Sequence, residues 1–177
     1  MRLFIAADLP PALKDALAET SALLREQVKG RYCSPDSFHL TLAFLGETPA
    51  GYIPDIEDVL ERCGSSHSPI DACLGDLGSF GRKTDAVLWQ GLQDPSPLEQ
   101  LARDLRKDLT GIGVSFDGKA PRAHITLMRR ADLSHGSLPM PFSAQGTISQ
   151  MTLYQSELSP QGAHYTPLHT VELHPSR

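Results

Sequence analysis

The sequence predicts a mixed helix and strand protein built from two similar halves. Three observations carry that prediction. The order strand, helix, His-x-Thr-Leu strand occurs twice, both helices carry apolar stripes at helical spacing, and both motif strands alternate apolar and polar residues. With 177 residues, 40% of them apolar, the chain can form one large domain or two small lobes sharing a core without help from disulfides or a structural metal.

The elements follow in order. Residues 1–7 form a short apolar run that reads as a buried strand, and Asp8-Leu9-Pro10-Pro11 after it reads as a helix start with proline in the first turn. Leu13, Leu17, Leu24 and Val28 share one stripe, which predicts a helix to about Lys29 with Gly30 as a left-handed stop. Residues 38–44 place large apolar side chains at alternate positions, which predicts a half-buried strand with His39, Thr41 and Ala43 on its other face. Ile53, Ile56, Leu60 and Cys63 suggest a short helix before Gly64, and residues 65–69 a connector.

The plan then repeats. Residues 86–89 (Ala-Val-Leu-Trp) read as a strand. Ser96-Pro97-Leu98-Glu99 offers an N-cap serine, a first-turn proline and a glutamate at the capping-box position, and Leu98, Leu101, Leu105 and Leu109 continue a helix closed by Gly111. In residues 123–127, His124 and Thr126 alternate with Ile125 and Leu127. The two motif histidines lie 85 residues apart, close to half the chain, so approximate repeats are expected over 1–84 and 85–177 within a single domain. Residues 136–141 read as a loop, and residues 146–154 and 164–173 as late strands.

Composition excludes several functions. Sixteen Lys and Arg against 21 Asp and Glu give a net charge of −5, which argues against wrapping long nucleic acid but leaves room for one terminal phosphate. No apolar run approaches the ~20 residues that span a bilayer, and the run ending at Asp8 is too short for a signal-peptide core. Cys33, Cys63 and Cys73 form no Cys-x-x-Cys pair and are odd in number. They read as cytosolic thiols acting as small buried apolar side chains.

About 0.06 His-x-Thr-Leu tetrapeptides are expected here by chance, and two are present. A third triplet, His164-Tyr165-Thr166, runs into Pro167 and is treated as background. Residues i and i+2 of a strand point to one face, so each motif projects an imidazole and a hydroxyl together. Two imidazoles flanking a phosphorus centre can serve as base and acid near neutral pH, and threonine hydroxyls can donate to non-bridging oxygens. No metal site is expected, because His-x-Thr supplies one good nitrogen and a poor neutral oxygen, and the chain has no His-x-His.

At these residues the sequence resembles the two-histidine phosphoesterase superfamily, and within it the RNA 2',3'-cyclic phosphodiesterases of the 2'-5' RNA ligase family. Beyond His39-Leu40-Thr41-Leu42 and His124-Ile125-Thr126-Leu127, the resemblance takes in Arg2-Leu3-Phe4-Ile5-Ala6, Phe44-Leu45-Gly46, and Gly162 with Tyr165-Thr166-Pro167-Leu168. It implies an α+β, bilobal fold in which two antiparallel sheets face each other across a central cleft, with helices outside. It implies hydrolysis of a terminal RNA 2',3'-cyclic phosphate to a 2'-phosphate, with His39 as proton donor, His124 as proton acceptor, Thr41 and Thr126 on phosphate oxygens, and Arg129 pairing with phosphate or bracing the site. No cofactor is implied. Partners would be RNA 3' ends or small cyclic-phosphate nucleotides, with no membrane, and the protein would be a cytoplasmic monomer. Where the family carries an aromatic residue and then a proline before the second histidine, this chain has Pro121-Arg122-Ala123.

Residues 119–130 hold Lys119, Arg122, Arg129 and Arg130 with no acid, a local attraction for RNA ends. His67, His135, His169 and His174 read as surface residues, Gly75, Gly78 and Gly81 as no phosphate cradle, Arg82-Lys83 as a turn, and Trp89 and Tyr154 as core. Two alternatives stand beside hydrolysis: 2'-5' ligation through the same site, and a noncatalytic module that binds RNA ends or nucleotides.

Overall fold

A computed structural model describes residues 1–175. Its nine strands are β1 (Arg2–Ala7), β2 (Arg31–Tyr32), β3 (Leu40–Glu47), β4 (Ile70–Arg82), β5 (Asp85–Leu92), β6 (Ile125–Ala131), β7 (Gln145–Ile148), β8 (Gln150–Ser159) and β9 (Gly162–Glu172). The helices are α1 (Pro11–Arg25), α2 (Ile53–Ser65) and α3 (Ser96–Gly111). One antiparallel sheet runs β3-β1-β8-β9 and the other β2-β6-β5-β4-β7, so each sheet holds one motif strand. The repeat boundary at 84/85 falls in the turn joining β4 to β5, where Arg82 pairs with Asp85. Sequence repeats and sheets are therefore different divisions of the chain: the first sheet draws on both ends, and the second on the middle.

Alternation decides which way the sheets face. In β1, Leu3, Ile5 and Ala7 are fully buried, whereas Arg2 and Phe4 occupy the other face. The stripe Leu13, Leu17 and Leu24 of α1, together with Ile56 and Leu60 of α2 and Leu98, Leu101, Leu105 and Leu109 of α3, joins one apolar cluster with the buried faces of both sheets. No described helix is long and apolar enough to cross a membrane.

Several expected elements shift for identifiable reasons. The first helix ends at Arg25 and continues only as a turn, with the Val28 N–H donating to the Leu24 carbonyl. Gly30 is a close-approach residue instead of a left-handed stop, since a Cβ there would meet Met128 at 2.3 Å. The motif strands begin at Leu40 and Ile125, one residue after each histidine. Ser96 is the first residue of α3 and caps nothing with its side chain, while Glu99 serves another purpose described below. The segment 146–154 divides at Ser149, its first part pairing with β4 and its second with β1, so the chain changes sheets there.

Strand β4 escapes a pattern reading because glycine interrupts it at 75, 78 and 81. Gly78 sits opposite Trp89, and a Cβ there would fall 2.4 Å from the indole ring, so the ring lies across the glycine. Gly81, with φ +89°, enters the hairpin turn that contains Arg82 and Lys83.

Candidate active site

A cleft of about 270 Å³ is lined by both motif pairs, His39 with Thr41 and His124 with Thr126, and by Arg129. The two sheets thus bring together every site residue expected from the sequence. Register explains the alignment on each side, with Thr41 opposite Ala6 of β1 and Thr126 opposite Trp89 of β5.

Each imidazole is fixed in the same way. His39 Nδ1 lies 2.7 Å from the Ser37 carbonyl and His124 Nδ1 2.6 Å from the Arg122 carbonyl. A carbonyl oxygen only accepts, so Nδ1 carries the proton in both neutral rings and Nε2 remains for chemistry. His39 Nε2 is 2.9 Å from Thr41 Oγ1, and in the neutral state it accepts from that hydroxyl. These bonds to the residue two before each histidine also explain why the strands start after it.

Aromatic walls hold the rings. His39 packs on Phe4 at 5.0 Å between centroids and edge-on against Tyr165 at 5.4 Å. His124 stands edge-on to Phe80 at 5.1 Å and 5.9 Å from Trp89. Trp89, expected to be core, is half-buried beside the second histidine. Tyr154 stacks on Phe4 and donates its hydroxyl to Asp8. In the background triplet, Tyr165 reaches the cleft while His164 and Thr166 are exposed. Its role was hidden because the motif template looks only at the first and third positions.

Burial pushes the pKa of both histidines below the ordinary imidazole value, and the bond from Nδ1 to a carbonyl opposes that shift. The charges around them differ. His39 feels His124 and Arg129, which lower its pKa, and the Asp8 carboxylate, which raises it. For His124 the charged neighbours are Arg129 and Arg122, both lowering.

The basic stretch is not one patch. Arg129 reaches the cleft, and Arg122 lies over the Phe80 ring at 5.8 Å. Arg130 points toward Asp85 at 4.0 Å, and the Lys119 carbonyl accepts from Arg106. In the altered stretch before His124, the Ala123 N–H donates to Glu99 Oε2 at 3.0 Å, tying the approach to the histidine onto α3. Proline has no such donor.

Outside the cleft, His67 pairs with Asp104 and His169 with Glu61, each at 2.8 Å, and both rings are half-buried where surface positions were expected. Cys63, His67 and Asp104 together mimic a nucleophilic triad. Burial and the nearby Asp108 and Asp104 push the Cys63 thiol up to about 12, which removes its thiolate at neutral pH. The cysteines are free thiols, and Cys33 is the one lining the cleft; only Cys63 is fully buried, against the expectation that all three would be. Among the described residues no group of three or more His, Cys, Asp or Glu is arranged to hold a metal ion.

Comparison with known proteins agrees with this geometry. The family model of the 2'-5' RNA ligase superfamily matches residues 10–157. A protein of Escherichia coli named RNA 2',3'-cyclic phosphodiesterase is 34% identical over 170 residues, covering 94% of this chain and 93% of that one. One of the same name from Thermus thermophilus is 31% identical over 179 residues, covering 98% and 90%. A third, from Geobacillus stearothermophilus, is longer: its 129 aligned residues, 30% identical, cover 72% of this chain and 41% of that protein. Among solved structures, TT0787 of Thermus thermophilus superposes with a TM-score of 0.86 at 29% identity, covering all of both chains. E. coli LigT complexed with 3'-AMP superposes at 0.83 with 30% identity, covering 97% of each.

Proposed function

The chain belongs to the 2'-5' RNA ligase superfamily, and from that premise we propose that it hydrolyses the 2',3'-cyclic phosphate at an RNA 3' end to a 2'-phosphate. The observation that carries the reading is the meeting of two Nδ1-anchored histidines, each with its threonine, in one cleft. Several relatives bear the name of this activity.

Water attacks phosphorus opposite the 3'-oxygen. His124 Nε2 takes a proton from the water, the P–O3' bond breaks, and His39 Nε2–H protonates the departing 3'-oxygen, leaving the phosphate on O2'. Charge favours this division of labour. Burial and Arg129 lower the pKa of both rings; Asp8 offsets part of this at His39 and so favours its imidazolium, whereas Arg122 adds to it at His124 and keeps that ring neutral and ready to accept. Protonation of His39 also frees Thr41, because a charged Nε2–H no longer accepts from its hydroxyl. Thr41 and Thr126 can then donate to the non-bridging oxygens, with Arg129 countering the developing charge. The step needs no cofactor.

The same proposal takes residues 1–177 as one bilobal, monomeric, cytoplasmic protein. Its test is an oligonucleotide ending in a 2',3'-cyclic phosphate, incubated with the protein in excess EDTA. A 2'-phosphate product is expected, with turnover falling about 10²–10⁴-fold in His39→Ala and in His124→Ala. Full activity in either variant refutes the assignment. Joined product with a 5'-hydroxyl RNA would reveal ligation, and tight binding without hydrolysis a noncatalytic module.

A further inference from the structure

We propose that Arg2 receives the internucleotide phosphate immediately upstream of the terminal cyclic phosphate, so that the cleft prefers oligonucleotide ends to mononucleoside 2',3'-cyclic phosphates. This rests on the reaction proposed above and adds a substrate class to it.

Position comes first. Arg2 and Phe4 lie on the cleft face of β1, one two-residue step or ~6–7 Å apart. Phe4 touches the His39 ring, so Arg2 stands about one further step from the reacting phosphate. Its guanidinium lies over the Phe44 ring at 5.1 Å. Such stacking uses the face of the guanidinium and leaves its edge N–H groups directed outward, the geometry that grips a phosphate.

Arg2 also lacks a competing anion. The ion pairs among the described residues involve Met1, His67, Arg130, His135 and His169, and not Arg2. Its partner in the β1–β3 register, Glu47, lies 3.4 Å from the Met1 amino group instead. Among the described residues no carboxylate lines the cleft, so within an acidic protein this wall is positive at Arg2 and Arg129. Arg129 stands two strand positions beyond the second motif's Leu127 and lines the cleft with both histidines, which suits it to the reacting phosphate, whereas Arg2 lines the same cleft from β1 and remains for a second charge. Leu158, which lines the same cleft, is 71% exposed, an apolar surface that a ribose or base can cover.

A mononucleoside cyclic phosphate has one phosphate and cannot use both arginines. A dinucleotide with a phosphodiester linkage and a terminal cyclic phosphate can. The same dinucleotide with an uncharged methylphosphonate linkage keeps the sugar and base but loses the second charge. In wild type, kcat/KM for the phosphodiester dinucleotide should exceed that for the methylphosphonate by at least about 10-fold. In Arg2→Gln this ratio should collapse to within about twofold, and Arg2→Lys should give an intermediate ratio. A wild-type ratio near one, or a ratio unchanged in Arg2→Gln, overturns the proposal. Dissociation constants of the two corresponding 2'-phosphate dinucleotides read the same contact without turnover. Absence of hydrolysis on every substrate would therefore refute the reaction, while the affinity ratio would still decide the role of Arg2.

Discussion

Replacing Gly78 with alanine tests whether the wall behind His124 is as tightly built as the distances imply. The added Cβ would lie 2.4 Å from the Trp89 ring, more than 1 Å inside ordinary contact, and Gly91 supports the same ring from a neighbouring position where a Cβ would be 3.2 Å away. The indole must move, and it packs against both Phe80 and His124. Overpacking of this kind costs about 1–3 kcal/mol. For a chain of this length that is a fall in Tm of roughly 2–12 °C. A displacement near 1 Å at the base should lower kcat/KM by about 10²-fold. The two closest atoms in conflict, Cη2 and Cζ2 of Trp89, belong to the outer six-membered ring of the indole, which Trp89→Phe takes away. The double variant Gly78→Ala/Trp89→Phe should therefore be less impaired than the product of the single variants, a favourable coupling readable by thermal unfolding and steady-state kinetics. Additive losses in the double variant, or wild-type behaviour in Gly78→Ala, would refute the reasoning.

The kcat/KM profile should be bell-shaped, rising as His124 loses its proton and falling as His39 does. Asp8→Asn removes the charge that raises the His39 pKa, so the falling limb should move to lower pH with the rising limb in place; an unmoved falling limb would place the acid elsewhere. Arg129→Gln removes a cation that lowers both rings, and both limbs should move up. Glu99→Ala deletes the acceptor for the Ala123 N–H and should reduce kcat about 10-fold by loosening His124, with Glu99→Gln restoring much of it; equal loss in both variants would contradict a positioning role. Stability should also respond to acid. Both histidine pKa values are lowered in the folded state, so below pH ~6.5 the unfolded chain binds more protons and stability falls with pH. Urea midpoints at about pH 5.5 and 7.5 should show that loss, and a His39→Asn/His124→Asn double variant should lose less.

The two His-Thr pairs that line the cleft were legible in the sequence because their signal is local: alternation in a strand puts residues i and i+2 on one face whatever the rest of the chain does. The walls were not legible, because what makes them is cross-strand pairing. Phe80 and Trp89 belong to the site through the β4–β5 register, and β4 is disguised by glycines that leave room for the indole and form the turn. Glu99 resembles a capping-box residue and instead reaches Ala123, 24 residues away. Tyr165 sits inside a triplet whose outer residues face away from the cleft.

The occurrence of the motif twice also makes motif and role separate questions. Both histidines have the same carbonyl anchor, a threonine two residues on and two aromatic neighbours. Two identical imidazoles would gain and lose protons together, and the reaction needs one of each form at the same time. The difference is supplied by residues outside the repeated motif. Asp8 follows β1 and is held by the hydroxyls of Tyr154 and Thr152 on β8, so it is a feature of one sheet only. Arg122 precedes the other histidine, where the first repeat has Ser37. Burial lowers both rings, but Asp8 offsets part of that at His39 whereas Arg122 adds to it at His124, so charges of opposite sign distinguish two otherwise equivalent rings and give the same tetrapeptide room to act as acid in one sheet and base in the other.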